Sequence, residues 1–441
     1  MQKHLSVFMN NPTTFAKDIV IKEYGLLLNG GNSQDIGCRS ISSKAFNWLL
    51  LNGQSIGENG RELIKVKRRG NGIALQVVNF VGVVETPCGT RIEILPKVTR
   101  DSDDTELARK TLLKMLSVVE KIKLEQFYNS SLKIINQPLL EVLITLFLEE
   151  TSKLIKKGIR SHYRRTERES PFLKGQLLTA KQIRQRPGRQ HYFQVSHDIF
   201  TADRAENRLL HSALYQVFKW TKSPNNQRLA RELLFVFHDI RKSADYCSDF
   251  RKWSDDRTLA HYRDIKVWCR LILSYQSPIT LAGQANGVSF LFPMEVLFER
   301  YVAAKLKSRF ESPLRLSEQT QSKALTEHKE QNWFKLRPDI VIYHDKKVVS
   351  VMDTKWKVIN QNLATGKDKY NLAQSDMYQL FAYGEKYLNG SGDMFLIYPK
   401  HENFDSALEE FSFKPSLRLN VIPYDLVTDQ CQISIGVNEH C

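Results

Sequence analysis

The chain has 441 residues, of which 42% are hydrophobic and 25% are charged, so it can bury ordinary hydrophobic cores and is not a disordered polymer. Basic residues exceed acidic residues by 64 to 48, and the resulting net charge of +16 favours a polyanionic partner such as nucleic acid. The most apolar run, 142–148, is far shorter than the roughly 20 residues of a membrane span. The N-terminus has no secretory pattern and the six cysteines form no CxxC pair, so we expect a soluble cytoplasmic protein.

The first 103 residues predict a β-rich domain. Two runs rich in valine and isoleucine, 76–84 and 91–98, lie on either side of the turn residues 85–90. Runs of this kind around a turn are typical of a β-hairpin, so we expect the two runs to pair.

Residues 104–285 predict a mainly helical and basic region. The polar residues 101–104 can cap a helix over 105–123, and further helices are predicted over 138–157, 204–219, 226–242 and 264–275. Residues 153–189 contain twelve basic and two acidic side chains, a net charge of +10, with aromatic side chains interleaved. This basic segment suits contact with nucleic-acid phosphates, and the alternatives are a surface for a protein partner and a solvated connector. Proline and glycine residues between 277 and 287 predict the end of this region.

Residues 286–441 predict a compact mixed α/β domain. The expected elements are a helix over 293–309, strands over 334–344 and 348–359, a helix over 376–388 and a strand over 393–398. Helices and strands that alternate in this way predict one layered domain.

The two predicted neighbouring strands of this domain carry charged side chains that can meet. If their turn is centred on Lys346, Asp339 and Asp353 are equally far from it and lie opposite each other, with Cβ atoms about 5 Å apart. Lys355 follows Asp353 by two positions and therefore shares its face of the sheet. We expect two carboxylates and one ammonium group to converge on one patch.

This patch predicts a Mg²⁺ site, because adjacent carboxylates repel unless a divalent cation lies between them. Mn²⁺ is expected to substitute, and the backbone carbonyl of Thr354 is a candidate third ligand beside Asp339 and Asp353. A bound Mg²⁺ lowers the pKa of an attacking water, while Lys355 orients or deprotonates that water and adds positive charge. The predicted reaction is phosphodiester hydrolysis. The alternative is a surface ion pair between Asp353 and Lys355 or Lys357.

Two predicted helices can complete the site. Glu299 in the first helix is a candidate for a further carboxylate, and an ordinary surface charge is the alternative. In the second helix Asp376, Gln379 and Tyr383 share a face, where Gln379 can hold a water or contact a phosphate. For Tyr378 and Tyr383 we expect packing in the core. The sequence contains no GxxxxGK[ST] loop and no HExxH motif, so neither NTP hydrolysis by this chain nor zinc-protease chemistry is expected.

Five blocks in order along the chain resemble the McrC family, the nuclease subunit of McrBC-type modification-dependent restriction systems. The blocks are Gly82-Val-Val with Ile92-Glu-Ile-Leu-Pro-Lys97, Asp203-Arg-Ala-Glu-Asn-Arg-Leu-Leu210, Met294-Glu-Val-Leu-Phe-Glu-Arg-Tyr-Val302, Arg337-Pro-Asp339 with Asp353-Thr-Lys-Trp-Lys357, and Tyr378-Gln379. Two features depart from the family pattern. Glu295 stands where the family often has asparagine, and the chain is longer than the compact members.

The resemblance implies a C-terminal restriction-endonuclease-like domain of the PD-(D/E)xK type that cuts double-stranded DNA, with Asp339, Asp353 and Lys355 as its catalytic set. It also implies a partner, an AAA+ GTPase hexamer of the McrB type, which the N-terminal region contacts and stimulates. In the family the recognition of 5-methylcytosine belongs to McrB, so the sequence leaves the DNA modification open.

We therefore predict a Mg²⁺-dependent DNA endonuclease subunit of an antiviral restriction system, activated by a separate NTPase. One such site cuts one strand, so a double-strand break implies a second copy of the chain. Two alternatives stay open: an activator of a motor NTPase whose nuclease centre is idle, and a stand-alone structure-specific DNA nuclease.

Overall fold

The computed structural model describes residues 18–30, 37–54, 61–70, 72–97, 104–122, 137–254, 256–274 and 289–433. Contacts divide the chain into two compact units, one of Met1–Leu139 with Ser277–Cys441 and one of Leu140–Gln276. This grouping differs from the predicted division at residues 103 and 285, because the N-terminal and C-terminal segments share the first unit. The predicted boundary at 277–287 lies outside the described residues.

The N-terminal segment of the first unit is rich in short strands, as predicted. Its elements are β1 (Ile19–Lys22), β2 (Leu26–Asn29), β3 (Cys38–Ile41), α1 (Ser43–Asn52), β4 (Ile64–Arg69), β5 (Gly72–Val77), β6 (Phe80–Glu85), β7 (Arg91–Leu95) and α2 (Thr105–Val119). Strands β6 and β7 pair antiparallel and form the predicted hairpin. Asp104 caps α2 as expected, because its Oδ1 accepts a hydrogen bond from Leu107 N at 2.8 Å.

The second unit contains most of the predicted helices and a sheet that the prediction lacked. Its elements are α3 (Leu139–Lys157, which begins at the boundary), β8 (His162–Ser170), β9 (Gln176–Leu177), α4 (Thr179–Ile183), β10 (Phe193–Thr201), α5 (Ala205–Trp220), α6 (Pro224–Val236), α7 (Tyr246–Lys252) and α8 (Arg263–Ser274). Strands β8, β10 and β9 form an antiparallel sheet inside the basic segment. Cross-strand pairs such as Tyr163 with Phe200 support this sheet. Strands of this kind leave no helical periodicity in the sequence. No helix in the described part of the chain is long and apolar enough to cross a membrane.

The block around Asn207 organises the helices of the second unit. The fully buried Asn207 donates hydrogen bonds from Nδ2 to the carbonyl oxygens of Arg160 and Ala202, and its Oδ1 accepts one from the Tyr262 hydroxyl at 2.7 Å. The neighbouring Arg208 pairs with Asp249 at 3.0 Å. Because these side chains satisfy buried backbone groups, the role of this block is structural.

The C-terminal segment forms a six-stranded mixed sheet with helices. Its elements are β11 (Ser289–Pro293), α9 (Met294–Lys307), β12 (Leu314–Glu318), β13 (Lys323–His328), β14 (Gln331–Leu336), β15 (Ile340–His344), β16 (Lys347–Thr354), α10 (Gln374–Tyr387), β17 (Gly392–Pro399), β18 (Phe411–Lys414) and β19 (Leu417–Tyr424). The strand order is β12-β15-β16-β17-β19-β18, with β16, β17 and β19 parallel. The predicted mixed α/β character is confirmed.

Two predicted strands of this segment need correction. The run 334–344 is interrupted between β14 and β15, because Pro338 has no N–H group for a sheet ladder and restricts the preceding Arg337. The run 348–359 ends at Thr354 in β16. Strands β11, β12, β13, β18 and β19 were not predicted.

Strand β11 joins the C-terminal segment to the N-terminal hairpin by pairing with β6. Gly82 in β6 has a φ of +125°, and a Cβ atom there would lie 1.9 Å from the carbonyl oxygen of Phe290. The close approach of the two backbones therefore requires glycine at this position.

Substituting Gly82 with alanine should destabilise the chain by about 2 kcal/mol or more, because the new methyl group collides with the β11 backbone. Gly72→Ala is the matched control, since the nearest atom to its Cβ is 3.8 Å away. Urea unfolding measures both variants. Equal midpoints for the two would contradict the close approach of β6 and β11.

Glu23, just after β1, holds the indole of Trp356. Trp356 Nε1 donates a hydrogen bond of 2.7 Å to Glu23 Oε2, and both side chains are buried. Burial raises the pKa of Glu23 from 4.5 to about 7, with a smaller rise from Glu295, although the hydrogen bond from Trp356 opposes the shift. The protonated carboxyl group is therefore favoured in the folded chain below about pH 7.

Glu23→Gln should flatten the pH dependence of stability. Between the unfolded pKa of 4.5 and the folded pKa of about 7, the folded carboxyl group keeps a proton that the unfolded one has lost. The wild-type free energy of unfolding therefore falls by about 3 kcal/mol as pH rises through this interval, whereas neutral glutamine removes that loss. Denaturant titrations at several pH values test this. Parallel pH profiles for the two proteins would count against a protonated Glu23.

Candidate active site

The β15–β16 hairpin places the two predicted aspartates at one end of neighbouring strands. Its register pairs Ile340 with Met352 and Val341 with Val351, and continuing this register by one step sets Asp339 opposite Asp353. An irregularity after Ile342 shifts the pairing nearer the turn. The predicted register therefore holds at the end of the hairpin that carries the acidic residues.

Asp339 is bound to the end of β16 through Thr354. Its Oδ2 accepts hydrogen bonds from Thr354 N at 2.7 Å and from Thr354 Oγ1 at 2.8 Å. Both donors of Thr354 therefore position the Asp339 carboxylate beside the strand that carries Asp353. The sequence predicted a role for the Thr354 carbonyl but not for its hydroxyl.

Asp353 is a buried carboxylate whose nearest cation is Lys355. The residue is 1% exposed, and its Oδ2 lies 2.8 Å from Lys355 Nζ without a well-directed hydrogen bond. Lys355 Nζ also donates a hydrogen bond of 3.2 Å to Gln379 Oε1. This burial contradicts the alternative of a surface ion pair at Asp353.

The charged groups of this cluster shift one another's pKa values. Burial, then the neighbouring Glu299, raises the pKa of Asp339 to about 6, and the hydrogen bonds from Thr354 oppose that rise. Burial, then Asp339, raises the pKa of Asp353 to about 7. Burial by itself would lower the pKa of Lys355, but the adjacent Asp353 carboxylate outweighs it and raises that pKa above its usual value. The ionised forms of Asp339 and Asp353 are therefore unfavourable even beside Lys355, and a further positive charge would stabilise them.

Glu299 on α9 is brought to this cluster by Gln319, which follows β12. Gln319 Nε2 donates a hydrogen bond of 2.6 Å to Glu299 Oε1, and Gln319 N donates one of 2.9 Å to the carbonyl oxygen of Asp339. Arg337 in turn donates to Gln319 Oε1. Sequence reasoning missed Gln319, because it lies in no motif and its φ of +48° arises from tertiary structure.

Helix α10 contributes the predicted face of Asp376, Gln379 and Tyr383. Gln379 Nε2 donates to the Tyr383 hydroxyl at 2.6 Å, and that hydroxyl donates to the carbonyl oxygen of Arg337 at 2.9 Å. Tyr383 is buried as expected, but Tyr378 is 66% exposed and the prediction of core packing for it was wrong. Tyr378 occupies the opposite side of a helix that buries one face only.

Asp376 forms the outer edge of this group of charges. Its Oδ2 lies 3.2 Å from Lys357 Nζ, and the carboxylate is buried. Its charge also contributes to the raised pKa values of Asp353 and Lys355. The Asp376 carboxylate therefore interacts electrostatically with both Lys355 and Lys357.

A comparison with known protein families identifies the family of the chain. A profile described as "McrBC 5-methylcytosine restriction system component" matches residues 75–399, more than half of the sequence. The chain belongs to this McrBC family. The match spans the hairpin β6–β7, the second unit and the cluster around Asp353, so the relationship expected from the sequence is confirmed.

Two solved structures from Thermococcus gammatolerans have a similar fold. One is a half-complex from a tetradecameric assembly of McrB AAA+ hexamers with bound McrC, with a TM-score of 0.69, 19% identity, and coverage of 95% of this chain and 97% of that chain. The other is a McrBC complex, with a TM-score of 0.51, 19% identity, and coverage of 66% of this chain and 87% of that chain. At this identity the likeness establishes the fold alone. No curated protein matches the chain.

The residues of this McrBC-family site fit a magnesium ion. Asp339 and Asp353 offer oxygen ligands whose pKa values are raised, and Asp353 Oδ2 lacks a well-directed hydrogen bond. Among the described residues no three His, Cys, Asp or Glu side chains form a ready metal cluster. Mg²⁺ suits such a site, because it usually takes one or two carboxylates and fills its other positions with water and substrate phosphate.

Proposed function

We propose that this McrBC-family chain is the DNA-cleaving subunit of a restriction system and hydrolyses phosphodiester bonds with Mg²⁺. The observation that carries the proposal is the buried Asp353 beside Lys355, with Asp339 across the hairpin. Keeping these carboxylates together costs folding free energy, and perturbed groups of this kind cluster at functional sites.

Each residue of the cluster has a role in this proposal. Asp339 and Asp353 hold the cation, with the Thr354 carbonyl as a further ligand. When bound, Mg²⁺ supplies activation of a water and neutralises charge on the scissile phosphate. Lys355, whose raised pKa keeps it an ammonium group at neutral pH, adds positive charge where the transition state gains negative charge. Gln379 orients Lys355 through its 3.2 Å hydrogen bond.

Glu299 is proposed as the further carboxylate of the site. Its Oε1 is already occupied by Gln319 Nε2, and its charge raises the pKa of Asp339. We infer that Glu299 increases the affinity of Asp339 for a cation, because a divalent ion relieves the repulsion between the two carboxylates. The six-stranded mixed sheet with α9 and α10 is consistent with a restriction-endonuclease-like domain of the PD-(D/E)xK type.

The partner proposed for this chain is a McrB-like AAA+ GTPase hexamer. The similar chains from Thermococcus gammatolerans come from assemblies of McrB hexamers with McrC. We infer that the N-terminal β-rich segment contacts such a motor and stimulates GTP hydrolysis. Double-strand cleavage then requires two nuclease subunits, because one site cuts one strand.

Plasmid cleavage by the chain co-purified with its native partner tests this function. Methylated and unmethylated supercoiled plasmids are incubated with Mg²⁺ and with or without GTP or ATP. The proposal predicts linear product only when Mg²⁺ and nucleotide are both present. Cleavage without nucleotide or partner would establish the stand-alone nuclease instead, and nucleotide hydrolysis without any DNA cleavage would establish the activator.

A further inference from the structure

A two-stranded β-ribbon, β13 and β14, stands apart from the six-stranded sheet and leads directly into the candidate site. The strands pair from Lys323 with Leu336 to His328 with Gln331 and form a sheet of their own. Arg337, Pro338 and Asp339 follow β14 without a gap in the chain. At about 3.4 Å per residue the ribbon is roughly 20 Å long.

The root of the ribbon is fixed to α10. The Tyr387 hydroxyl shares its single proton between the carbonyl oxygens of Thr320 at 3.0 Å and Leu336 at 3.2 Å, one before β13 and one at the end of β14. The Tyr383 hydroxyl donates a hydrogen bond of 2.9 Å to the carbonyl oxygen of Arg337, the residue that follows β14. The helix that presents Gln379 to Lys355 therefore also determines where the ribbon leaves the domain.

Beyond this root the ribbon exposes large apolar side chains. Trp333 is 47% exposed and Phe334 is 69% exposed, and Leu325 on the other strand is also exposed. The Trp333 ring contacts the rings of His328 and Phe334, with centroid distances of 5.0 and 6.4 Å. An isolated two-stranded hairpin is marginally stable, and exposed aromatic clusters mark interaction sites.

The backbone of the ribbon is held in unfavourable conformations. Phe334 has a φ of +56°, and the ladder omits the pair of Leu325 with Phe334 although the register is the same on both sides. Lys329 and Glu330 at the turn also have positive φ values, which gives the tight turn that matches the twist of a hairpin. A non-glycine residue in this region costs about 1 kcal/mol or more, and such strain is typical of functional segments.

The charge of the ribbon complements a polyanion. Lys323, Lys329 and Lys335 lie on the ribbon and Arg337 lies at its root, against Glu327 and Glu330. Lysines suit phosphate contacts, and aromatic side chains suit the faces and edges of bases.

We propose that the β13–β14 ribbon enters a groove of the duplex DNA that is cut, with Trp333 and Phe334 against the bases and the lysines on the phosphates. The proposal rests on the proposed nuclease function, because the scissile phosphate then lies at Asp339, directly beyond the root. The major groove, about 12 Å wide, accepts a two-stranded β-ribbon. The ribbon thus binds the duplex on one side of the scissile phosphodiester bond.

Duplex binding by the full-length chain tests this inference. In an Asp353→Asn background that prevents cutting, fluorescence anisotropy compares the parent with a Trp333→Ala/Phe334→Ala variant. Affinity should fall about ten- to a hundredfold, because the variant lacks both aromatic side chains that would contact the bases. Phe235→Ala is the matched control, since Phe235 is 78% exposed on α6 and should leave affinity unchanged. Lys329→Ala should instead lower the salt dependence by about one phosphate contact.

A second measurement does not depend on affinity. A photo-crosslinking amino acid at position 334 should label duplex DNA, and the same group at position 235 should not. Unchanged affinity in the double variant, or crosslinks only to a co-purified protein, would overturn the ribbon proposal. If the ribbon binds DNA but the wild-type complex never cuts it, the proposed nuclease function fails while DNA binding by the ribbon is established.

Discussion

Asp353→Asn should abolish DNA cleavage and at the same time raise the thermal stability of the chain. Cleavage should fall roughly a thousandfold or more, because the change removes a proposed ligand of the cation that would act on the reacting phosphate. Stability should rise because burial and Asp339 raise the pKa of Asp353 to about 7, so its ionised form is unfavourable in the folded chain. Supercoiled plasmid cleavage and thermal unfolding in EDTA measure the two effects.

The pH dependence of the stability gain provides the control. At about pH 8 the wild-type Asp353 is ionised in both states and the variant should unfold at a higher temperature, by about 1 °C for each kcal/mol gained. At about pH 5 the folded wild-type carboxyl group is protonated, so most of the gain should disappear. A variant that still cuts DNA would refute the assigned site, and a gain independent of pH would refute the charge argument.

Lys355→Met should have the opposite effect on stability and the same effect on cleavage. The variant leaves Asp353 and Asp339 without their shared cation, so the folded chain should lose about 2 kcal/mol, less than the ~3–5 kcal/mol of a fully buried pair. Cleavage should fall because the ammonium group no longer faces the phosphate. Urea unfolding near neutral pH and plasmid cleavage measure these losses.

Combining Asp353→Asn with Lys355→Met tests whether the two side chains act as a pair. The double variant should recover most of the stability lost in Lys355→Met, because the uncompensated charge is also removed. Cleavage should stay absent. Additive stability changes in this cycle would show that Asp353 and Lys355 do not interact, contrary to their 2.8 Å separation.

The centre of the site could be predicted because it depends on local geometry. A short turn determines the register of the β15–β16 hairpin, and the alternation of a strand places Asp353 and Lys355 on one face. The i, i+3, i+7 spacing of Asp376, Gln379 and Tyr383 likewise follows from the helix. Neither inference needs contacts between distant parts of the chain.

The surroundings of the site could not be predicted because they depend on distant contacts. Gln319 approaches Glu299 and Asp339 only after β12 has joined the sheet. Strand β11 pairs with β6, about two hundred residues earlier, and no local pattern encodes such a partner. The run 334–344 looked like one strand because apolar residues lie on both sides of Arg337-Pro338-Asp339, yet the chain there passes from the exposed ribbon into the buried sheet.

The family blocks contain two kinds of buried polar group. Some stabilise the fold, and others form the candidate site. Asn207 satisfies backbone groups and organises helices, whereas Asp353 Oδ2 lacks a well-directed hydrogen bond. Trp356, within the same block as Lys355, is bound to Glu23 in the N-terminal segment. We infer that this hydrogen bond fixes the end of the block, while Asp353 and Lys355 lie on the face of the candidate site.

We propose that Asp339 and Asp353 together hold a divalent cation beside Lys355. Electron paramagnetic resonance of Mn²⁺ bound to the full-length chain, with a cleavage-resistant duplex, measures this directly. We expect a cation site in the wild type that is lost in both Asp339→Asn and Asp353→Asn and retained in Asp405→Asn, which changes an exposed carboxylate outside the cluster. Equal Mn²⁺ binding by the wild type and the two site variants would contradict the account.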